Sequence, residues 1–305
     1  MTVAGKYLAV NGHARERTFE LLELVHLSRL MDRTGGRPEI AIGLIDGPVF
    51  ISHPDLSNDR MVAVSSNSAA CRLERSSACE HGTLVAGILA GRRGSGAPGI
   101  APNCTLLVRP VYQELTGRGG DLPVAAAREL AAAITETVDA GARVLNISSA
   151  MGRCEATGER ELGQALSYAA RRGVITVAAA GNQGTVAGST IVSHPAVIPA
   201  AACDRRGRPA PASNLGYSIG IHGLLAPGDG VLSLGVGDQA HSVIYGTSAS
   251  TPFITGAIAL LWSEFPAATA TRVRHALTYG RRLRAVVPPL LNAWAARHEL
   301  MVTQT

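Results

Sequence analysis

Ser248 lies in the stretch Gly246-Thr247-Ser248-Ala249-Ser250-Thr251-Pro252, between an extended run, His241 to Tyr245, and an apolar helical run, Phe253 to Trp262. A serine at that junction stands at a helix N-terminus, where unpaired backbone N–H groups and the positive end of the helix dipole face whatever its hydroxyl attacks. Gly246 removes bulk beside it, and Pro252 fits early in a helix, where its missing N–H is not needed. Taken alone, such a serine usually only caps the helix. A serine hydroxyl is a weak nucleophile at neutral pH; it needs a histidine to remove its proton and a buried carboxylate to fix the imidazole tautomer. Asp46 closes the apolar run Glu39 to Ile45, and His81 opens the run His81 to Gly91. Each has an ordinary reading by itself: an Asx-turn leaving a strand for Asp46, a solvated helix start for His81. Asn182, on the turn Gly181-Asn182-Gln183-Gly184, offers a side-chain N–H₂ to a developing oxyanion. The four residues together make the parts list of acyl transfer.

These residues need a scaffold that brings them to one edge. Glu16 to Met31 has the apolar spacing of an amphipathic helix, ended by Thr34-Gly35-Gly36-Arg37-Pro38. Apolar runs suited to buried parallel strands follow at Glu39 to Ile45, Thr105 to Val111, Arg143 to Ile147, Val174 to Ala180 and Val197 to Ala202. Shorter extended pieces are expected at Gly223 to Ala226 and Val231 to Leu234. Helical patterns lie between and after them: a helix opening on His81, then Val124 to Ala140, Glu159 to Arg172, Arg272 to Leu277 and Leu290 to His298. Strands alternating with helices predict one mostly parallel sheet covered on both faces. The expected organisation is an N-terminal helical extension, 1–38, and one compact unit, 39–305, with Asp46 at the strand end where open α/β sheets place their ligands.

Composition excludes several classes. The chain has 305 residues, 46% of them hydrophobic, which is ample for a core. No apolar run reaches the ~18 residues of a membrane span. Met1 to Glu20 lacks a continuous apolar segment, so no signal peptide is read and a cytoplasmic location is expected. The net charge of +5 comes from scattered arginines, and aromatics are only 4%, so solvated faces are expected rather than a nucleic-acid partner. None of the cysteines, Cys71, Cys79, Cys104, Cys154 and Cys203, has Cys-x-x-Cys spacing, which argues against a zinc or redox motif. An odd count without a signal peptide predicts reduced thiols; Cys71 and Cys79 alone are close enough in sequence to bridge a short loop.

Four ordered blocks resemble the subtilisin-like serine peptidases. They are Ile42-Gly43-Leu44-Ile45-Asp46-Gly47 with His53-Pro54-Asp55-Leu56; His81-Gly82-Thr83-Leu84-Val85-Ala86-Gly87; Ala179-Ala180-Gly181-Asn182-Gln183-Gly184; and Gly246 to Pro252. The order Asp, His, Ser is that of subtilisins, and the similarity runs from about Glu39 to about Leu277. The resemblance implies a three-layer α/β fold with a mostly parallel central sheet and helices on both faces. It implies a nucleophile in Ser248, a general base then acid in His81, an orienting carboxylate in Asp46, and an oxyanion hole from Asn182 and the Ser248 backbone N–H. Ser148, Ser149 and Ala150 fall where the family pairs with an extended substrate, Ala150 adding a methyl to the cleft wall. Gly181 and Gln183 fall beside the S1 pocket.

The departures are informative. Leu84 replaces the family's usual second histidine. Asp55 matches a calcium-ligating position of some relatives, but Arg92-Arg93-Gly94-Ser95-Gly96 puts cations where the companion ligands would sit, so neither calcium nor another cofactor is expected. Only about 38 residues precede the first strand, so a pro-segment of the kind secreted relatives carry is not expected. More narrowly, Asp46-Gly47-Pro48-Val49 with His53-Pro54, the run Gly94 to Cys104, and Arg33-Thr34-Gly35-Gly36 resemble the cyanobactin maturation proteases. That likeness implies cleavage of a leader or recognition segment from a ribosomal precursor peptide, a peptide being the expected partner. A broad degradative subtilisin, a peptide macrocyclase and a non-catalytic peptide-binding homologue are the alternatives; the intact Asp46, His81, Asn182 and Ser248 argue against the last. In cyclising relatives a helical cap inserted between Asp and His shields the acyl-enzyme. Here that interval is 35 residues, and Ser65 to Glu80 lacks helical apolar periodicity, which predicts an open cleft and linear products.

Overall fold

The computed structural model describes residues 12–64, 69–73, 76–114, 125–148, 156–186, 188–278 and 286–303. Its centre is a seven-stranded sheet of β1 (Ala41–Asp46), β2 (Met61–Ala63), β3 (Thr105–Pro110), β4 (Val144–Ile147), β5 (Ile175–Ala179), β6 (Val197–Cys203) and β7 (Leu224–Pro227). The order is β2-β3-β1-β4-β5-β6-β7 and every pairing is parallel. From β1 the chain crosses to the edge at β2, returns to β3 beside β1, then continues at β4 on the other side of β1 and builds outward to β7. The crevice above the carboxyl ends of β1 and β4 is therefore the switch point where α/β sheets bind ligands.

Side chains alternate between two cores, as a pleated strand requires. Ile42 and Leu44 of β1, Leu106 and Val108 of β3 and Val144 of β4 join one core; Ile45, Leu107, Leu145 and Ile147 join the other. The first core is filled by α3 (Ser77–Ala90) and α8 (Thr247–Glu264), with Val85, Leu89, Phe253 and Trp262 buried. The second is filled by α4 (Ala127–Asp139) and α5 (Ala156–Arg171), with Leu130, Ile134, Leu162 and Leu166. Helix α8 is buried along nearly its whole length: it lies on β4 to β7 and is covered by α2 (Leu27–Met31), α3 and α10 (Ala293–Val302). An antiparallel hairpin of β8 (Val231–Leu234) and β9 (His241–Ile244) leads into α8. The short helices α6 (Thr190–Ser193) and α7 (Tyr217–His222) flank β6, and α9 (Ala270–Thr278) packs against α10.

The structure corrects three expectations. Glu16 to Met31 is not one helix. Helix α1 (Gly12–Leu24) stops before His26, which adopts φ +53°, and α2 starts at Leu27. Histidine is among the few non-glycine residues that visit the left-handed region readily. The break lets α1, with Leu21 and Leu22 buried, pack on β8 while α2, with Leu27 and Leu30 buried, packs on α8 and α10. In addition, Thr18 Oγ1 accepts from Leu232 N at 2.9 Å. Helix α3 opens at Ser77 rather than at His81, because Ser76 caps it, its Oγ accepting from Cys79 N at 3.1 Å. Finally, Cys71 and Cys79 are joined by a disulfide, not reduced. The segment after β2 runs back beside Val49, with Cys71 N donating to Val49 O at 3.0 Å, and this brings the two Cα atoms to 5.5 Å. Cys104 and Cys203 are free and buried; Cys154 lies outside the described residues. No helix among the described residues is long and apolar enough to cross a membrane.

Candidate active site

Asp46 ends β1 and is 0% exposed. Its Oδ1 accepts from Gly47 N at 2.6 Å and from His81 Nδ1 at 2.6 Å. A proton on Nδ1 leaves Nε2 with its lone pair, the tautomer a general base needs. The second oxygen, Oδ2, is buried without a hydrogen-bond partner among the described residues. Two glycines permit this approach of helix to strand. A Cβ on Gly47 would fall 1.9 Å from Ala78 O, and one on Gly82 would fall 2.4 Å from Pro48 O. The dipeptides Asp46-Gly47 and His81-Gly82 thus each pair a functional side chain with the bare backbone that lets α3 seat on the end of β1.

Ser248 stands in the first turn of α8, 8% exposed, after Gly246 at φ +93°. Asn182 faces it from the turn after β5. Thr247 N and Thr247 Oγ1 both donate to Asn182 Oδ1, at 2.9 and 3.1 Å, and Gly181 N donates to Thr247 Oγ1 at 3.2 Å. With Oδ1 committed, Nδ2 is the end of the amide left to donate, on an exposed side chain. On its other side, the hydroxyl of Ser248 donates to Ser148 O at 3.1 Å, and Ser148 Oγ donates to Ser248 O at 3.2 Å. A buried chain lies beneath: Asn146 Nδ2 donates to Ser148 Oγ at 2.9 Å, and Thr255 Oγ1 donates to Asn146 Oδ1 at 3.0 Å. These bonds stitch the end of β4 to α8, so Ser148 and Ser248 are held as one piece. Ser149 and Ala150, also expected at the substrate strand, lie outside the described residues.

Sequence reasoning gave no role to Asn214, Asn146, Thr247 or Thr255. Asn214 Oδ1 accepts from Gln183 N (3.0 Å) and Thr185 N (3.2 Å), while its Nδ2 donates to Gln183 Oε1 (2.6 Å) and Ala180 O (3.2 Å). It therefore clamps both ends of the turn that carries Asn182. Gly181 must be glycine there: its φ is +103° and a Cβ would sit 2.4 Å from Asn214 Nδ2. No motif marks Asn214. Asn146 did leave a signal, as a polar residue inside an otherwise apolar, fully buried strand.

A second polar cluster lies behind α3. The Arg93 guanidinium donates to four backbone carbonyls: Nε to Gly99 O (2.8 Å), Nη1 to Met31 O (2.6 Å), Nη2 to Thr34 O (3.0 Å) and to Ile100 O (2.6 Å). Burial lowers its pKa, with Asp32 opposing. Arg92 N donates to Asp55 O at 2.8 Å. Asp55 Oδ2 stands 3.8 Å from His241 Nε2, and His53 Nδ1 accepts from Asp55 N at 3.0 Å. Burial holds His241 below the usual imidazole range; Asp55 opposes this and His53 adds to it.

The sequence profile of the subtilase family matches residues 37–280. Subtilisin DY of Bacillus licheniformis is 30% identical over 244 residues, 78% of this chain and 82% of that protein. The thermophilic serine proteinase of Bacillus sp. (strain AK1) is 33% identical over 236 residues, 76% of this chain; the match spans about half, 54%, of that relative's length. Among solved structures, the protease domain of PatA superposes with a TM-score of 0.76 at 30% identity, covering 88% of this chain and 97% of that one. The prenylagaramide maturation protease PagA gives 0.75 at 27% identity, covering 90% and 98%.

Proposed function

The chain belongs to the subtilase family, and we propose that it is a serine endopeptidase that cleaves a precursor peptide through Asp46, His81 and Ser248. The observation that carries this reading is the buried 2.6 Å bond from His81 Nδ1 to Asp46 Oδ1, on the same switch-point edge as Ser248 and Asn182. Attack moves the Ser248 proton to His81 Nε2, so the hydroxyl must first leave Ser148 O. Asp46 keeps Nδ1 protonated and stabilises the imidazolium that forms. The carbonyl oxygen of the scissile bond gains negative charge between Asn182 Nδ2 and the backbone N–H of Ser248 at the start of α8. His81 then protonates the leaving amine, and water attacks the acyl-Ser248. Support for a precursor as substrate comes from PatA and PagA, both described as maturation proteases.

The test uses a fluorophosphonate probe and a peptide library. We expect labelling at Ser248 that requires His81, and no measurable turnover in a folded Ser248→Ala variant. Labelling elsewhere, or undiminished cleavage by that variant, refutes the triad. Cleavage at many unrelated sites in the library, rather than a few, would replace precursor processing with degradation.

A further inference from the structure

The disulfide has no part in that mechanism, yet it is anchored two residues before His81. Cys71 Sγ, Cys79 Sγ and a Glu114 carboxylate oxygen all lie within 4.8 Å of one another, the one such group of three His, Cys, Asp or Glu ligands among the described residues. Each residue has an anchor besides the S–S bond. Cys71 is tied by its backbone N–H to Val49 O. Cys79 sits in the first turn of α3, under the Ser76 cap. Glu114 is fixed by the loop between the cysteines: Oε1 accepts from Leu73 N (2.9 Å), Arg72 N (3.1 Å) and Ser76 Oγ (3.3 Å), and Oε2 accepts from Arg72 N (2.9 Å). Backbone donors that orient a ligating carboxylate are a recurring feature of metal sites.

We propose that Cys71, Cys79 and Glu114 form a dithiol-gated cation site, sealed by the disulfide in the oxidised chain and open to one zinc ion after reduction. Cys71 is part-exposed whereas Cys79 is fully buried, so a dithiol reductant reaches Cys71. Its thiolate attacks Cys71 Sγ, and the electron pair of the S–S bond leaves on Cys79 Sγ. The reductant's second thiol then attacks the mixed disulfide and releases Cys71. The reductant departs as its own cyclic disulfide, having supplied two electrons and two protons. The two sulfurs part to about 3.7 Å, the spacing set by Zn–S bonds of ~2.3 Å in a tetrahedron, with Glu114 third and water fourth. Zinc displaces the two thiol protons on binding. Cys104 and Cys203 are poor competitors, since burial pushes their thiols up to about 11 and about 12. The ion restores the tie between the 69–73 segment and the first turn of α3. Reduction and zinc thus act together on the helix that carries His81.

The full chain is tested in a Cys154→Ser background. It is reduced with dithiothreitol, desalted without air, equilibrated with zinc, dialysed and assayed for zinc per chain. About one zinc is expected on the reduced chain and none on the oxidised chain. Cys71→Ser and Glu114→Gln should each weaken zinc binding about tenfold or more. Cobalt in place of zinc should show sulfur-to-cobalt charge-transfer absorption that Cys71→Ser diminishes. Equal zinc on oxidised and reduced chains overturns the proposal, as does zinc retained by a Cys71→Ser/Cys79→Ser variant. So does a reduced chain that keeps its circular dichroism but binds none, or one that loses its fold, because the site needs the scaffold.

Discussion

Thr247 holds Asn182 by its Oδ1, and in the proposed mechanism Nδ2 donates to the carbonyl oxygen. Its amide matters most when the carbonyl oxygen becomes an oxyanion, so Asn182→Ala should lower kcat by about 10²–10³-fold with little change in KM. Steady-state kinetics on one peptide checks this; a change confined to KM would make Asn182 a substrate-binding residue. The sequence pointed to Asp46, His81, Asn182 and Ser248 because each lies in a short block whose neighbours serve the same geometry: Gly47 and Gly82 for close approach, Gly181 and Gly246 for positive φ. Asn214, Asn146 and Thr255 escaped because their partners are far along the chain. The bond from Thr255 to Asn146 spans 109 positions, and no local spacing encodes it.

Among the elements, the loop after α3 takes its rigidity from Arg93. One guanidinium satisfies carbonyls of α2, of the turn at Thr34 and of its own loop, the kind of oxygen cage a hard cation would otherwise fill. We propose that Arg93 replaces such an ion. Arg93→Ala should destabilise the chain by about 1.5–3 kcal/mol, the loss expected for hydrogen bonds from a charged donor. EDTA should leave wild-type activity unchanged. Thermal unfolding and a chelator titration check both; activity lost in EDTA and restored by calcium would refute the replacement. The same region sets a pH dependence. Burial lowers the folded pKa of His241, and also of His194 beside Arg274. The unfolded chain therefore binds more protons than the folded one as pH falls through the ordinary imidazole range. This stability is fully present above that range and declines through it towards the depressed folded values. His241→Gln should flatten part of the decline when melting temperatures are compared across those pH values. Element types were legible from apolar runs, whereas boundaries failed where a side chain far from the apolar pattern decided them. Ser76 moved the start of α3, and His26 split the first helix.

For the molecule as a whole, the proposed mechanism has water attack the acyl-enzyme, which needs an uncapped Ser248. Between Asp46 and the start of α3 at Ser77, the helical structure among the described residues is the single 3₁₀ turn Asn58–Arg60. The stretches 65–68, 74–75 and 115–124 lie outside the described residues. Because Ser65 to Glu80 lacks helical apolar periodicity, water is expected to reach acyl-Ser248. Mass spectrometry of a cleaved peptide should then show linear products carrying the mass of one added water. A dominant product of cyclic mass would instead make the enzyme a macrocyclase. The layered architecture was readable before any of this, because strands buried on both faces have a near-continuous apolar signature. The packing of α1 on β8 and of α2 on α8 was not, since amphipathic spacing says which face is buried but not against what.

The burial of α8 also bears on timing. Asp46 and His81 lie in the first third of the chain, and Ser248 comes 167 residues after His81. The helix that carries Ser248 has almost no exposed surface of its own, so its place exists only once β4 to β7 have been laid down beside β1. Parallel strands joined by long crossovers form late, because the entropy of closing each loop is spent before the contacts repay it. A ribosome releasing this chain from its N-terminus therefore delivers Asp46 and His81 long before Ser248 has a site to enter. In the proposed mechanism, competence to cut therefore waits for the strands that bed α8, a safeguard written into their order.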